Sequence, residues 1–187
     1  MASILAEMKD DGNDAQLQVA AAIVKMNVSP VVAIRLNFGG DNHNDPQLKY
    51  ETDNHKSAIR ALAKLFATLK VNGLEHKVTF ASFDVFGRNF KVGDLHGRDH
   101  WSSHAATLLV GKNVRAGLVG GTVARDGDYS ATGIDSATGA GVVSGGDIKF
   151  EDTLSAVGKT IGAAIGITSE TLDTEMSGGR VIQGAIA

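Results

Sequence analysis

Two short stretches gather side chains that can do chemistry. GGDNHND (39–45) carries Asp41, His43 and Asp45, and HGRDHWSSH (96–104) places three of the six histidines around an Asp-His pair and the only tryptophan. Imidazole nitrogen beside carboxylate oxygen is a donor set for zinc, manganese or iron rather than calcium, which takes oxygen ligands. Each stretch also has a plainer reading. Gly, Asp and Asn favour turns, so GGDNHND reads equally as a hydrated turn. GRDHW reads equally as a loop anchored by Trp101 packing and an Asp99–Arg98 contact. Two such clusters at consecutive strand ends shift the balance toward a shared site.

The elements that would position them alternate in period. AQLQVAAAIVKM (15–26) puts Leu17, Ala20, Ala21 and Val24 on one helical face, and Ser29-Pro30 follows as a breaker. VVAIRLNF (31–38) reads as a strand running into Gly39-Gly40. Asn54 is placed to cap a long helix whose Ile59, Leu62, Ala63, Leu65, Phe66 and Leu69 form its apolar stripe, closed by Asn72-Gly73. KVTFASFDVF (77–86) is the second expected strand and ends near Asp84 and Arg88; ATLLVGKNV (106–114) is the third. Residues 117–146 hold short β-like pieces among many turns, 147–167 read as a helix, and SGGRVIQGAIA as a turn with a terminal strand. This order implies an α/β fold, a single domain over 1–187 with a largely parallel sheet and helices on both faces. In such sheets ligands bind beyond the carboxyl ends of the strands, where both polar clusters fall.

Composition narrows the function classes. Across 187 residues, 43% hydrophobic and 21% charged is ordinary for a globular protein, and a net charge of −3 argues against a broad nucleic-acid surface. The absence of cysteine excludes disulfides, thiolate metal sites and cysteine nucleophiles. The start lacks a basic region followed by a long apolar run, so no signal peptide is visible, and no stretch approaches the roughly 20 apolar residues of a membrane span. Of the remaining histidines, His55 and His76 read as surface positions, and His96 and His104 as orienting neighbours or exposed side chains. Ser102 and Ser103 have no base arranged to activate them and read as turn serines.

The ordered set LQVAAAIVKM, GGDNH, ALAKLFATLKVNGL, VTFASFDVFGRN, GRDHW, LLVGKNVRAGLVGGT, DTLSAVGKTIGAAIGI and GGRVI resembles the domain-of-unknown-function family 1501, read as a sulfatase-like branch of the alkaline phosphatase superfamily. The likeness runs from about residue 15 to the end and corresponds to the C-terminal half of a typical member. The resemblance implies a three-layer α/β/α sandwich holding metal ions beside a sulfate- or phosphate-like group. By position, it makes Asp41 and His43 a ligand pair and His100 the completing histidine. Asp99 becomes a ligand or orienting neighbour, and Asp84 and His96 further ligands or orienting neighbours. Arg88 and Arg98 become the oxyanion-binding residues. Zinc is the implied ion, with manganese or iron as alternatives.

Family members carry an acidic residue before Phe-Gly-Arg, where this chain has Val85. The missing N-terminal half would supply a further metal-binding Asp and the nucleophile position. A homo-oligomer, or a partner chain carrying that half, is therefore expected, because a truncated sheet exposes an edge. Export to the periplasm rests on the resemblance alone. Two functions follow: a metal-dependent hydrolase of sulfate or phosphate esters, or a non-catalytic relative serving in assembly.

Overall fold

A computed structural model describes residues 12–187. The chain divides into two compact units, one running to Val78 and including Val92–Asp99, the other formed by Thr79–Lys91 and His100–Ala187.

The first unit is built on two helices. Helix α1 spans Asn13–Met26 and α2 spans Lys49–Val71. Leu17 and Ala20 are the buried positions of α1, one helical turn apart. Asn27 takes a left-handed conformation (φ 52°) and returns its N–H to the carbonyls of Ile23 and Val24, which ends α1 where the sequence breaks. Helix α2 starts five residues before the expected Asn54 cap. Leu48 is its N-cap residue, and Asp45, three residues earlier, supplies the first-turn acceptors: one carboxylate oxygen accepts from the Lys49 N–H at 3.0 Å and the other from Glu51 N–H at 3.2 Å. Its buried stripe is Ala58, Ala61, Leu62, Leu65 and Leu69, whereas Ile59 and Ala63, expected inside, are exposed. Lys64 Nζ reaches Asp14 at 2.9 and 3.1 Å and ties the two helices at their rims.

The expected parallel sheet and its α/β/α sandwich do not form. Every ladder among the described residues is a two-stranded antiparallel pair. In the second unit, β1 (Phe80–Ala81) pairs β4 (Leu109–Val110), and β2 (Gly87–Arg88) pairs β3 (His100–Trp101). Likewise β5 (Thr122–Arg125) pairs β6 (Asp128–Ala131), and β7 (Gly133–Ile134) pairs β8 (Gly141–Val142). The expected strands at 77–86 and 106–114 thus contract to two residues each. A turn residue recurs every few positions after residue 84, so no run is long enough to carry a wide ladder.

Residues 31–38 depart most clearly. They make no ladder among the described residues, yet their burial alternates residue by residue, with Val32, Ile34, Leu36 and Phe38 on the covered side. The period-2 pattern is therefore obeyed in burial but not in pairing.

Helix α3 (Thr153–Ala164) follows a 3-10 turn at Phe150–Asp152, and a short α4 spans Ser169–Glu175. The expected helix over 147–167 is shorter at both ends. The terminal strand is replaced by a 3-10 turn, Gln183–Ala185, with one isolated bridge from Ile186 to Val114. Ile134, Ile148, Ala156, Ile182 and Ala185 form the core of this unit, with Val119 packed against it. No helix among the described residues is long and apolar enough to cross a membrane.

Candidate metal centre

The DNH turn sits between the extended segment and α2. The backbone carbonyl of Asn42 accepts from Asp45 N–H at 3.2 Å, and the Asp45 carboxylate then accepts from the first turn of α2, so the helix start fixes the turn. The Asn42 side chain is buried and donates to Glu51 on α2, while its Oδ1 has no partner. A buried acceptor left unpaired is costly, so this turn is held by its surroundings rather than by its own preference. Asn54 Nδ2 donates to the Gly39 carbonyl at 3.3 Å, and the expected cap residue thus ties α2 back to the same turn.

The second half of the site approaches through two glycines. Arg98 N–H donates to the Asn42 carbonyl at 3.2 Å, and Gly97 lies so close that a Cβ there would stand 1.9 Å from Asn42 O and 2.3 Å from His43 O. A Cβ on Gly93 would meet the Asp99 carboxylate at 2.0 Å. Between them, Gly93 N–H bonds Gly97 O at 2.9 Å, and His96 occupies the left-handed position of the turn at φ 69°. This tight loop delivers Asp99 to His43. The Nδ1···Oδ1 distance is 3.0 Å.

His43 is thereby held from one side, and its Nε2 lies 3.9 Å from Asp41 Oδ1. Asp41 also accepts from the His43 N–H at 3.3 Å. A carboxylate on one imidazole nitrogen fixes the tautomer that leaves the other nitrogen as a donor. Tetrahedral zinc with donors at about 2.1 Å holds them about 3.4 Å apart, so the Asp41–His43 pair, at 3.9 Å, would have to close by roughly half an ångström around a shared ion. Asp99 stands as the orienting partner of His43. The residues present fit half of a metal site, and among the described residues no group of three or more His, Asp or Glu side chains is arranged to hold an ion.

The other expected residues have different surroundings. His100 belongs to β3 in the second unit and stacks on Phe86 with ring centroids 3.9 Å apart. The Arg88 guanidinium carbon lies 5.1 Å from the centroid of that Phe86 ring, a cation–π contact. Asp84 and Val85 are exposed in an irregular segment rather than in the strand expected there. His96 is an exposed turn residue, and Arg98 contributes its backbone to the loop contact. No parallel sheet forms among the described residues, so the two clusters do not flank carboxyl ends of adjacent parallel strands there.

The tryptophan and last histidine of the second motif are structural. Trp101 Nε1 donates to Tyr129 O at 2.6 Å; His104 reaches the same carbonyl through Nδ1 at 3.1 Å and Arg88 O through Nε2 at 2.9 Å. His55 Nδ1 bonds Glu51 O at 3.0 Å within α2, and His76 is exposed beside Glu75, as expected of surface positions. Sequence reasoning did not give a role to Asn42, Asp45 or Gly97. The glycine immediately before Arg98-Asp99 was the one visible signal that a backbone comes close there.

The model described as protein of unknown function (DUF1501) matches residues 6–135. The chain belongs to the DUF1501 family. Asp41, His43, Asp99 and His100 all fall inside the matched span, whereas the DTLSAVGKTIGAAIGI and GGRVI segments lie beyond it. Nothing among curated proteins or solved structures matches the chain.

Proposed function

We propose that this DUF1501 member binds a single divalent cation, zinc first and manganese or iron otherwise, at His43 Nε2 and Asp41, with Asp99 orienting the imidazole. The observation that carries this reading is His43 gripped through Nδ1 at 3.0 Å while its other nitrogen faces a carboxylate. A bound ion would supply Lewis acidity to polarise a sulfate or phosphate ester, the substrate class implied by a sulfatase-like kinship. Arg98, on the same loop as Asp99, would offer its guanidinium group to an oxyanion. A partner copy, or a chain bearing further donors, would complete the coordination that two side chains begin.

A second reading is a non-catalytic relative that keeps one ion for structure or assembly. It is favoured by the donor count and by Val85, 94% exposed where an acidic ligand is expected. The test is zinc stoichiometry and affinity for the unmodified chain and for His43→Ala, followed by aryl sulfate and aryl phosphate turnover with the ion present. Binding lost in the variant supports the site, and turnover separates the two readings. Equal zinc uptake by both proteins would overturn the site itself.

A further inference from the structure

An open groove of about 460 Å³ lies in the second unit, between the β5–β6 hairpin and the turn that follows β8. Its lining includes Val123, Val142, Ile148 and Phe150, together with Arg125 and Lys149. Val123, Val142 and Phe150 are half-buried and give the groove an apolar floor, whereas Lys149 is exposed and the Arg125 side chain is 66% exposed at the rim. The residues lining it include two cations and no carboxylate or imidazole. The volume is in the range of small-molecule pockets, and an apolar floor with charge of one sign selects an amphiphile of the opposite sign.

Close backbone packing shapes the walls. A Cβ on Gly146 would stand 2.6 Å from Val142 Cγ2 and 2.9 Å from Ile134 O. On the facing wall, a Cβ on Gly133 would come within 2.9 Å of Ile148 O. Side chains at Gly133 and Gly146 would have to displace the backbone that shapes the cleft. The neighbouring Asp126 lies 3.8 Å from Arg125 Nε, but both side chains are exposed, and such surface pairs exchange readily for a bound anion.

We propose that this groove binds a small organic anion with an apolar body, a sulfonate, sulfate or phosphate on an aromatic or short aliphatic group. Arg125 and Lys149 hold the anionic head, and Val123, Val142 and Phe150 cover the body. The proposal is independent of the metal reading.

The test titrates 2-naphthalenesulfonate, beside uncharged 2-naphthol, into isotope-labelled full chain, following backbone amides by NMR. Saturable shifts are expected at Gly133, Gly145 and Gly146, with 2-naphthol at least about tenfold weaker. The Arg125→Ala, Lys149→Ala double variant should lose about tenfold or more in affinity, and Asp126→Asn should gain roughly twofold by freeing Arg125. Each side chain is exposed, and unchanged amide spectra of the ligand-free variants would establish that they fold. Equal binding of the neutral probe, indifference to the double variant, or shifts confined to other residues would each overturn the proposal.

Discussion

Replacing Asp99 by Asn tests the central geometry with the smallest change of shape. The amide keeps an oxygen that can sit 3.0 Å from His43 Nδ1 but removes the negative charge that favours the Nδ1–H tautomer. Loss of such an orienting partner weakens metal affinity by about 10- to 100-fold. Asp99 is 41% exposed, so water screens its charge, and the expected loss is near the lower limit, about tenfold or roughly 1.4 kcal/mol. His43→Ala removes a donor outright and should abolish the site. His76→Ala, 70% exposed outside it, should change nothing. Competition with a chromophoric chelator reads all three. Binding should also weaken on acidification, because only neutral imidazole coordinates. An Asp99→Asn variant that binds zinc as tightly as the parent would refute the orienting role. Equal weakening by His76→Ala would reduce the whole effect to adventitious surface binding.

Four further outcomes follow from the packing. Gly97→Ala should destabilise the chain by about 1–3 kcal/mol in urea melts, because its Cβ would meet the Asn42 carbonyl at 1.9 Å; an unchanged midpoint would refute that close approach. Leu69→Ala, at 1% exposure, should cost about 2–5 kcal/mol, whereas Ile59→Ala, at 49%, should cost under about 1 kcal/mol; a comparable loss at both would restore the stripe expected from sequence. Amide exchange should be fast at Ala33, Ile34 and Leu36 and slow at Leu62–Leu69, whereas a laddered strand would protect both. Acid stability depends on three carboxylates. Burial raises the Asp128 pKa, but the N–H groups of Lys91, Phe90 and Tyr129 outweigh it and hold that carboxyl below its ordinary value. Ser136 bonds lower Asp147, and Thr138 bonds lower Asp135. Because these folded-state values are depressed, their stabilisation is present above the unfolded value near pH 3.9 and is lost as pH falls through the lower folded values. The urea midpoint should therefore drop below about pH 4, less steeply in Asp147→Asn; a midpoint flat down to pH 2 would contradict the assignment.

The helices were legible because their signals are local. The 3.6-residue spacing of Leu17 and Ala20, and of Leu62, Leu65 and Leu69, survives folding almost unchanged. The start of α2 was misplaced because Asp45 and Asn54 are equally able to accept from a first turn, and only the backbone path between them selects Asp45. The sheet was not legible for a different reason. VVAIRLNF has every property of a strand except a neighbour among the described residues, and pairing depends on segments distant in sequence. Its alternation is satisfied by covering one face alone. The corrected fold also removes the basis on which His100 and Arg88 were assigned to the same site as His43.

HGRDHWSSH illustrates why a dense polar motif need not be one site. Its nine residues cross from the first unit to the second between Asp99 and His100. Before that junction, Gly97 lets the backbone close on the DNH turn and Asp99 takes His43. After it, Trp101 and His104 converge on the Tyr129 carbonyl, anchoring the short β2–β3 pair to β6. A histidine ring and an indole converging on one carbonyl give structural order to a segment with too few ladder bonds to hold itself. The motif thus serves two separate needs, the first through Gly97 and Asp99 and the second through Trp101 and His104. Only the carboxylate before the junction lies against the imidazole of His43, and the metal reading rests on that contact rather than on the number of histidines nearby.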